Sequence, residues 1–163
     1  MSIFLETKRL IVKTPELSDL DNLITLRSDP DVMKYTGDDV QDKEEVKEAL
    51  VFFISYYNKH GMGFFSVFEK ETNSFVGQAG LFHLLFDDTQ SEIEIAYRLH
   101  KKFWGKGYAT ELAKAIIQWG FQHLSKGVYS NGTKLRNNIL IQPHFSGINN
   151  VLFAFVERLL ACA

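Results

Sequence analysis

Tyr97-Arg98-Leu99-His100-Lys101-Lys102-Phe103-Trp104-Gly105-Lys106-Gly107-Tyr108-Ala109-Thr110-Glu111 is the stretch on which the reading of this chain turns. It places a Gly-x-Gly turn between a strand-like run, residues 91–99, and a helical pattern. Tyr108, Leu112, Ala115, Ile116 and Trp119 repeat along one face of that helix. Glycine admits positive φ and close approach of a ligand to the backbone. The first N–H groups of the helix have no intrahelical acceptor, so with the helix dipole they form a site for anionic oxygens such as a pyrophosphate. Lys102 and Lys106 add positive charge at its rim. The turn is neither the dinucleotide fingerprint, because Thr110 stands at the third glycine position, nor a Walker loop, because Tyr108 follows Gly107. Alone, a Gly-x-Gly turn is a weak signal.

Working outward, residues 9–14 read as the first strand, ended by Pro15. Ser18 and Asp21 have the spacing of a helix start, with Leu20, Leu23 and Ile24 as its apolar face. Ser28-Asp29-Pro30 ends that helix. Asp42 and Glu45 form a second capping box, and Val46, Leu50, Phe53, Ile54 and Tyr57 repeat at helical spacing up to Gly61. Residues 64–69 and 75–82 read as strands joined by a polar loop, and residues 87–90 as a further turn. The order β-α-α-β-β-β-α is an α+β pattern rather than a βαβ repeat.

The 163 residues fit one domain, 1–163, with 45% hydrophobic and 23% charged residues. A net charge of −2 and no long basic run leave nucleic acid without a footprint. Cys162 is the only cysteine, which excludes a disulfide framework and favours a reducing, cytoplasmic setting. The charges near the N-terminus come too early for a signal peptide, and the apolar run at residues 151–156 is too short to span a bilayer. No metal-ligand cluster is visible, so no metal cofactor is expected.

Several separated motifs together resemble the GNAT acyltransferases. Lys102-Phe103-Trp104-Gly105-Lys106-Gly107 overlays their [RQ]-x-x-G-x-[GA] loop, with Lys102 where Arg or Gln is commoner. Thr7-Lys8-Arg9-Leu10-Ile11-Val12, Leu26-Arg27-Ser28-Asp29-Pro30, Phe75-Val76-Gly77-Gln78-Ala79-Gly80-Leu81 and Glu94-Ile95-Ala96-Tyr97-Arg98-Leu99 follow in order. The resemblance covers about residues 5–125 and is nearest to the branch containing ribosomal-protein N-terminal acetyltransferases. It implies a mixed, mostly antiparallel sheet flanked by helices. It also implies an acetyl-CoA-dependent N-acetyltransferase acting by direct attack of a primary amine, on a small molecule or a peptide.

By the same resemblance, Tyr97, Arg98 and Leu99 would pair with the pantetheine arm. Lys102, Gly105, Lys106, Gly107, Tyr108, Ala109 and Thr110 would hold the pyrophosphate. Glu94 is the candidate general base, with Glu92 on the same strand face. His83 and His100 read as surface or loop residues, Trp104 and Tyr108 as packing residues, and Phe52, Phe53, Phe64, Phe65 and Phe68 as core.

After His123 the match decays. Residues 127–133 are the expected fifth strand, and its edge would invite a homodimer. Asn138, with Asn137 beside it, stands where the family has a coenzyme-binding asparagine. About residues 134–163 are atypical: no K-x-G-F follows, the C-terminal strands are expected to be missing, and no tyrosine follows Tyr129 to act as general acid. A change of reading frame near Asn138 would account for this. Three readings therefore stand: an active acetyltransferase, a catalytically impaired CoA-binding or interaction protein, and a nucleotide-binding module using the same glycine turn.

Overall fold

The computed structural model describes residues 2–36, 39–89, 93–124 and 139–141. Its strands are β1 Ile3–Glu6, β2 Leu10–Lys13, β3 Gly63–Glu69, β4 Phe75–His83, β5 Ile93–Leu99 and β6 Ile139–Ile141. The helices are α1 Leu20–Arg27, α2 Pro30–Met33, α3 Lys43–His60 and α4 Tyr108–His123. The strands form one sheet in the order β1-β2-β3-β4-β5-β6. Every pairing is antiparallel except β5 with β6, which is parallel. This is the α+β, mostly antiparallel architecture expected from the sequence.

β3 and β4 lie in the middle of the sheet and are buried almost throughout, which is why they read as continuous apolar runs. Along β3 the side chains alternate between two helical layers. Phe64 packs edge-on against Phe53 of α3, and Phe68 joins the cluster of Leu23, Val46 and Leu50. On the other face Phe65 stacks on Phe4, which in turn meets Trp119 of α4.

α3 begins at the expected capping box. Asp42 Oδ1 accepts from Glu45 N–H at 3.0 Å, and Asp42 N–H donates to Glu45 Oε2 at 2.8 Å. Its end is also as expected, with Gly61 N–H bonded to Tyr57 O. Before α1 the caps differ from the sequence reading. The helix starts after a 3₁₀ turn, Leu17–Asp19, and the residues that matter are Glu16 and Asp19 rather than Ser18 and Asp21. Glu16 N–H donates to Asp19 Oδ2, which also accepts from Ser66 Oγ of β3. Asp19 is thus buried under the sheet, and that burial raises its pKa. Local spacing does not show a partner 47 residues away.

Two elements were not foreseen. β1 is an edge strand with much of its surface exposed, so it lacks a clear apolar alternation. α2 is a single turn capped by Asp29, whose Oδ1 accepts from Asp31 N–H at 2.8 Å. The strand beside β5 is 139–141; the expected strand at 127–133 and the tail at 142–163 lie outside the described residues. Two side chains also differ from expectation. Phe52 is 45% exposed rather than core. His83 is buried, its Nδ1 2.6 Å from Tyr56 Oη, while its N–H donates to the same oxygen.

One close approach constrains the sheet. A Cβ on Gly80 would lie 1.9 Å from Gly63 O, a backbone atom that cannot turn aside. Gly80→Ala is expected to destabilise the fold by about 2 kcal/mol or more, as overpacking does. Urea unfolding compared with wild type reads this directly; an unchanged midpoint would show that the two strands can separate without cost.

Candidate acyl-donor site

β5 ends at Leu99, and the chain reaches α4 through the 3₁₀ turn Lys101–Phe103 and residues 104–107. Gly105 and Gly107 both take left-handed backbone, with φ of 73° and 77°. A side chain there would be strained. Nothing lies within 4 Å of a Cβ built on Gly105, so the outer surface of the turn is open. The first intrahelical bond runs from Glu111 N–H to Gly107 O. The N–H groups of Tyr108, Ala109 and Thr110 therefore have no carbonyl one turn behind them. This donor set suits a pyrophosphate.

The turn is held from the far end of the chain. Glu111 Oε1 accepts from Thr7 Oγ1 at 2.5 Å and from Arg9 N–H at 2.8 Å. Arg9 Nε donates to Glu111 Oε2 at 2.7 Å, and its Nη1 donates to Lys106 O at 2.9 Å. The guanidinium lies 4.4 Å from the Tyr108 ring centroid, and the Tyr108 hydroxyl donates to Glu69 at the end of β3. Burial alone would raise the Glu111 pKa. The bonds from Thr7 and Arg9 outweigh it and hold the carboxyl below its ordinary value. Arg9 also neutralises an acid that would otherwise repel an anion at this helix end. The sequence reading had the Thr7–Val12 motif and the Gly-x-Gly motif separately; it missed Thr7, Arg9 and Glu111 as one device.

The edge of β5 supplies the second feature. His100 N–H donates to Val76 O at 2.9 Å, which sets the alternation of the β4–β5 ladder. Glu94, Ala96 and Arg98 exchange backbone bonds with β4, whereas Ile93, Ile95, Tyr97 and Leu99 turn theirs to the opposite edge. The described residues of β6 pair with β5 from Ile93 to Ile95. Among the described residues no strand faces Tyr97 or Leu99. Leu99 O accepts from Trp104 Nε1 at 2.7 Å; by the ladder alternation the Leu99 N–H and both backbone groups of Tyr97 point to the edge away from β4. The Tyr97 hydroxyl pKa is raised by burial.

The side chains of Glu94, Ala96 and Arg98 share the other sheet face and are half-buried. Arg98 lies 5.3 Å from the Phe64 ring centroid, with Nη1 3.5 Å from Met33 Sδ. Glu94 stands opposite Phe82. His100 is half-buried, and burial followed by the Lys102 charge lowers its pKa. Trp104 is 39% exposed and Tyr108 is buried. Glu92, Asn137 and Asn138 lie outside the described residues. No helix among the described residues is long and apolar enough to cross a membrane.

This fold and site have clear relatives. The acetyltransferase (GNAT) domain family matches residues 9–151. An uncharacterized N-acetyltransferase, p20 of Bacillus licheniformis, is 34% identical over 124 residues, covering 74% of this chain and 67% of the relative. A GNAT-family acetyltransferase from Bacillus anthracis superposes with a TM-score of 0.62 at 26% identity, over 78% of this chain and 71% of that one. A spermidine N-acetyltransferase from Vibrio cholerae, solved with CoA and spermine, shares the fold with a TM-score of 0.67 at 16% identity, over 92% of this chain and 79% of that one. The chain belongs to the GNAT acetyltransferase family.

Glu111→Gln is expected to lower stability by about 2 kcal/mol, the order of a lost charged hydrogen-bond set. The lowered pKa fixes the pH dependence. The Glu111 contribution is fully present above the unfolded carboxyl value of about 4.5 and disappears as pH falls through the lower folded value. Urea midpoints of wild type and variant should therefore differ at neutral pH and converge in acid; a gap independent of pH would contradict the ionised network.

Proposed function

We propose that this chain transfers an acetyl group from acetyl-CoA to a primary amine by direct attack. The observation that carries the reading is that, among the described residues, no strand pairs with β5 at Tyr97 and Leu99, from which the chain leads on through the Gly105–Gly107 turn to the α4 N-terminus. An extended amide-bearing arm can lie along such an edge as an added strand. A pyrophosphate at its end would meet the N–H groups of residues 105–110, with Lys102 and Lys106 beside it. Arg98 enters through its side chain on the acceptor face, because its backbone is committed to β4.

In this reading the amine nitrogen bonds to the thioester carbonyl carbon, and the C–S bond breaks as the tetrahedral species collapses. Tyr97 N–H, on the edge of β5 away from β4, donates to the developing oxyanion. The amine must give up a proton, and Glu94 receives it, directly or through one water. The thiolate leaves as CoA and takes up a proton from solvent or from a group outside the described residues. Positioning by the strand edge accounts for much of the acceleration, since it fixes the donor against the acceptor face.

Two measurements test this reading. Calorimetry should show acetyl-CoA binding by wild type and its loss in the Gly105→Glu, Gly107→Glu double variant, which puts side chains and negative charge into the turn. Glu94→Gln should leave that binding intact and lower kcat by about 100-fold with a primary amine acceptor, the scale of general-base loss. A folded wild type that does not bind acetyl-CoA would remove the donor assignment. An unchanged kcat in Glu94→Gln would remove Glu94 as base.

A further inference from the structure

In the 3₁₀ turn Leu84–Phe86, which follows β4, two bulky residues in succession take left-handed backbone, Leu85 at φ 56° and Phe86 at φ 57°. Among the described residues the other non-glycine with positive φ is Asn73, a residue type that tolerates it. For Leu and Phe the conformation is crowded, and it persists only where the surrounding contacts hold it. The pair turns Leu85 out to solvent, where it is 76% exposed, and Phe86 in. The Phe86 ring stacks on Phe82 of β4, with centroids 4.0 Å apart and planes 11° from parallel. It also meets Phe52 and Tyr56 of α3 edge-on, each at 5.1 Å. Yet Phe86 is only half-buried, and Phe52 is 45% exposed. Their planes stand at 80° to each other, so the two rings form a corner.

The place of this corner in the sheet gives it a use. Phe82, on which Phe86 stacks, is the cross-strand partner of Glu94, and directly opposed residues share a sheet face. The aromatic stack therefore begins beside the proposed base, on the face that the acceptor amine must approach. Charged groups at the end of α3 and after the turn are committed to one another. Lys59 donates to Asp88, and His60 Nε2 lies 3.4 Å from the same carboxylate. The corner thus offers rings rather than charge. A third ring suits both walls at once, lying flat on one and edge-on to the other.

We propose that Phe52 and Phe86 are specificity-determining residues that bind an aromatic ring of the acceptor, so that the substrate is a primary amine bearing an aryl group rather than a polyamine or a short alkylamine. This rests on the acyl-transfer reading given above, in which Glu94 receives the amine proton. The aryl group is remote from the reacting nitrogen, and its contacts are the same before and during attack. It therefore acts on KM and not on kcat.

The test uses the full chain with 2-phenylethylamine, 2-cyclohexylethylamine, ethylamine and spermidine. Each amine is titrated calorimetrically into protein saturated with CoA, and each is assayed for acetyl transfer from acetyl-CoA. Wild type should bind 2-phenylethylamine about tenfold more tightly than ethylamine and about threefold more tightly than the cyclohexyl compound, the scale of an aromatic contact. Phe52→Leu/Phe86→Leu keeps the apolar bulk and should erase the preference for phenyl over cyclohexyl. It should raise KM for 2-phenylethylamine about threefold with kcat within about twofold of wild type. Thermal midpoints and a CoA titration check that the variant is folded and loaded. Phe52→Ala, at an exposed position, carries the same comparison if the double variant does not fold. Equal binding of phenyl and ethyl compounds by wild type, tighter binding of spermidine, or a phenyl preference that survives the substitutions would overturn the proposal and leave acyl transfer in place. Wild type that binds CoA but acetylates none of the four amines would remove the acyl-transfer reading and this proposal with it.

Discussion

The bond set around the Glu111 carboxylate is the constraint on which the site depends. Without it the Gly105–Gly107 segment would be an exposed turn with two glycines, free to sample many conformations. Thr7 and Arg9, in the turn between β1 and β2, close on Glu111 and on Lys106 O, and Tyr108 ties the same corner to Glu69 of β3. The N-terminal hairpin therefore acts as a clamp on a loop a hundred residues later in the chain. An anion site of backbone N–H groups is useful only if those groups point the same way before the ligand arrives. The clamp supplies that order from outside the loop.

The second determinant is the mismatch between β5 and its neighbours. On one side β4 pairs with β5 along its whole length, from His83 with Ile93 to Gly77 with Leu99. On the other, the described residues of β6 pair with β5 from Ile93 to Ile95. A parallel partner cannot be joined by a tight hairpin and must arrive by a longer connection. Among the described residues the first half of this edge is paired, and the second half offers backbone donors and acceptors at Tyr97 and Leu99.

Much of the fold was legible in the residues. The capping box at Asp42 and Glu45, the stop at Gly61, the apolar runs of β3 and β4 and the turn at Gly105 and Gly107 all depend on contacts within a few positions. The miss at Ser18 and Asp21 is instructive. By spacing alone that pair was as good as Glu16 and Asp19, and the choice was made by Ser66 beneath the helix. His83 failed for a similar reason: at the end of a strand it read as a loop residue, and Tyr56 of α3 covers it.

By itself, then, the sequence determined local geometry: the caps of α3, the apolar runs of β3 and β4, and where glycine must adopt positive φ. These follow from sterics and hydrogen bonds between near neighbours. Only the tertiary structure decided which carboxylate meets which cation, which edge of β5 pairs with β4, and that Arg98 turns its backbone toward β4 while Tyr97 turns its own away from it. Those outcomes depend on strand register and on the path that brings Arg9 to Glu111, and neither is encoded in the spacing of any one motif.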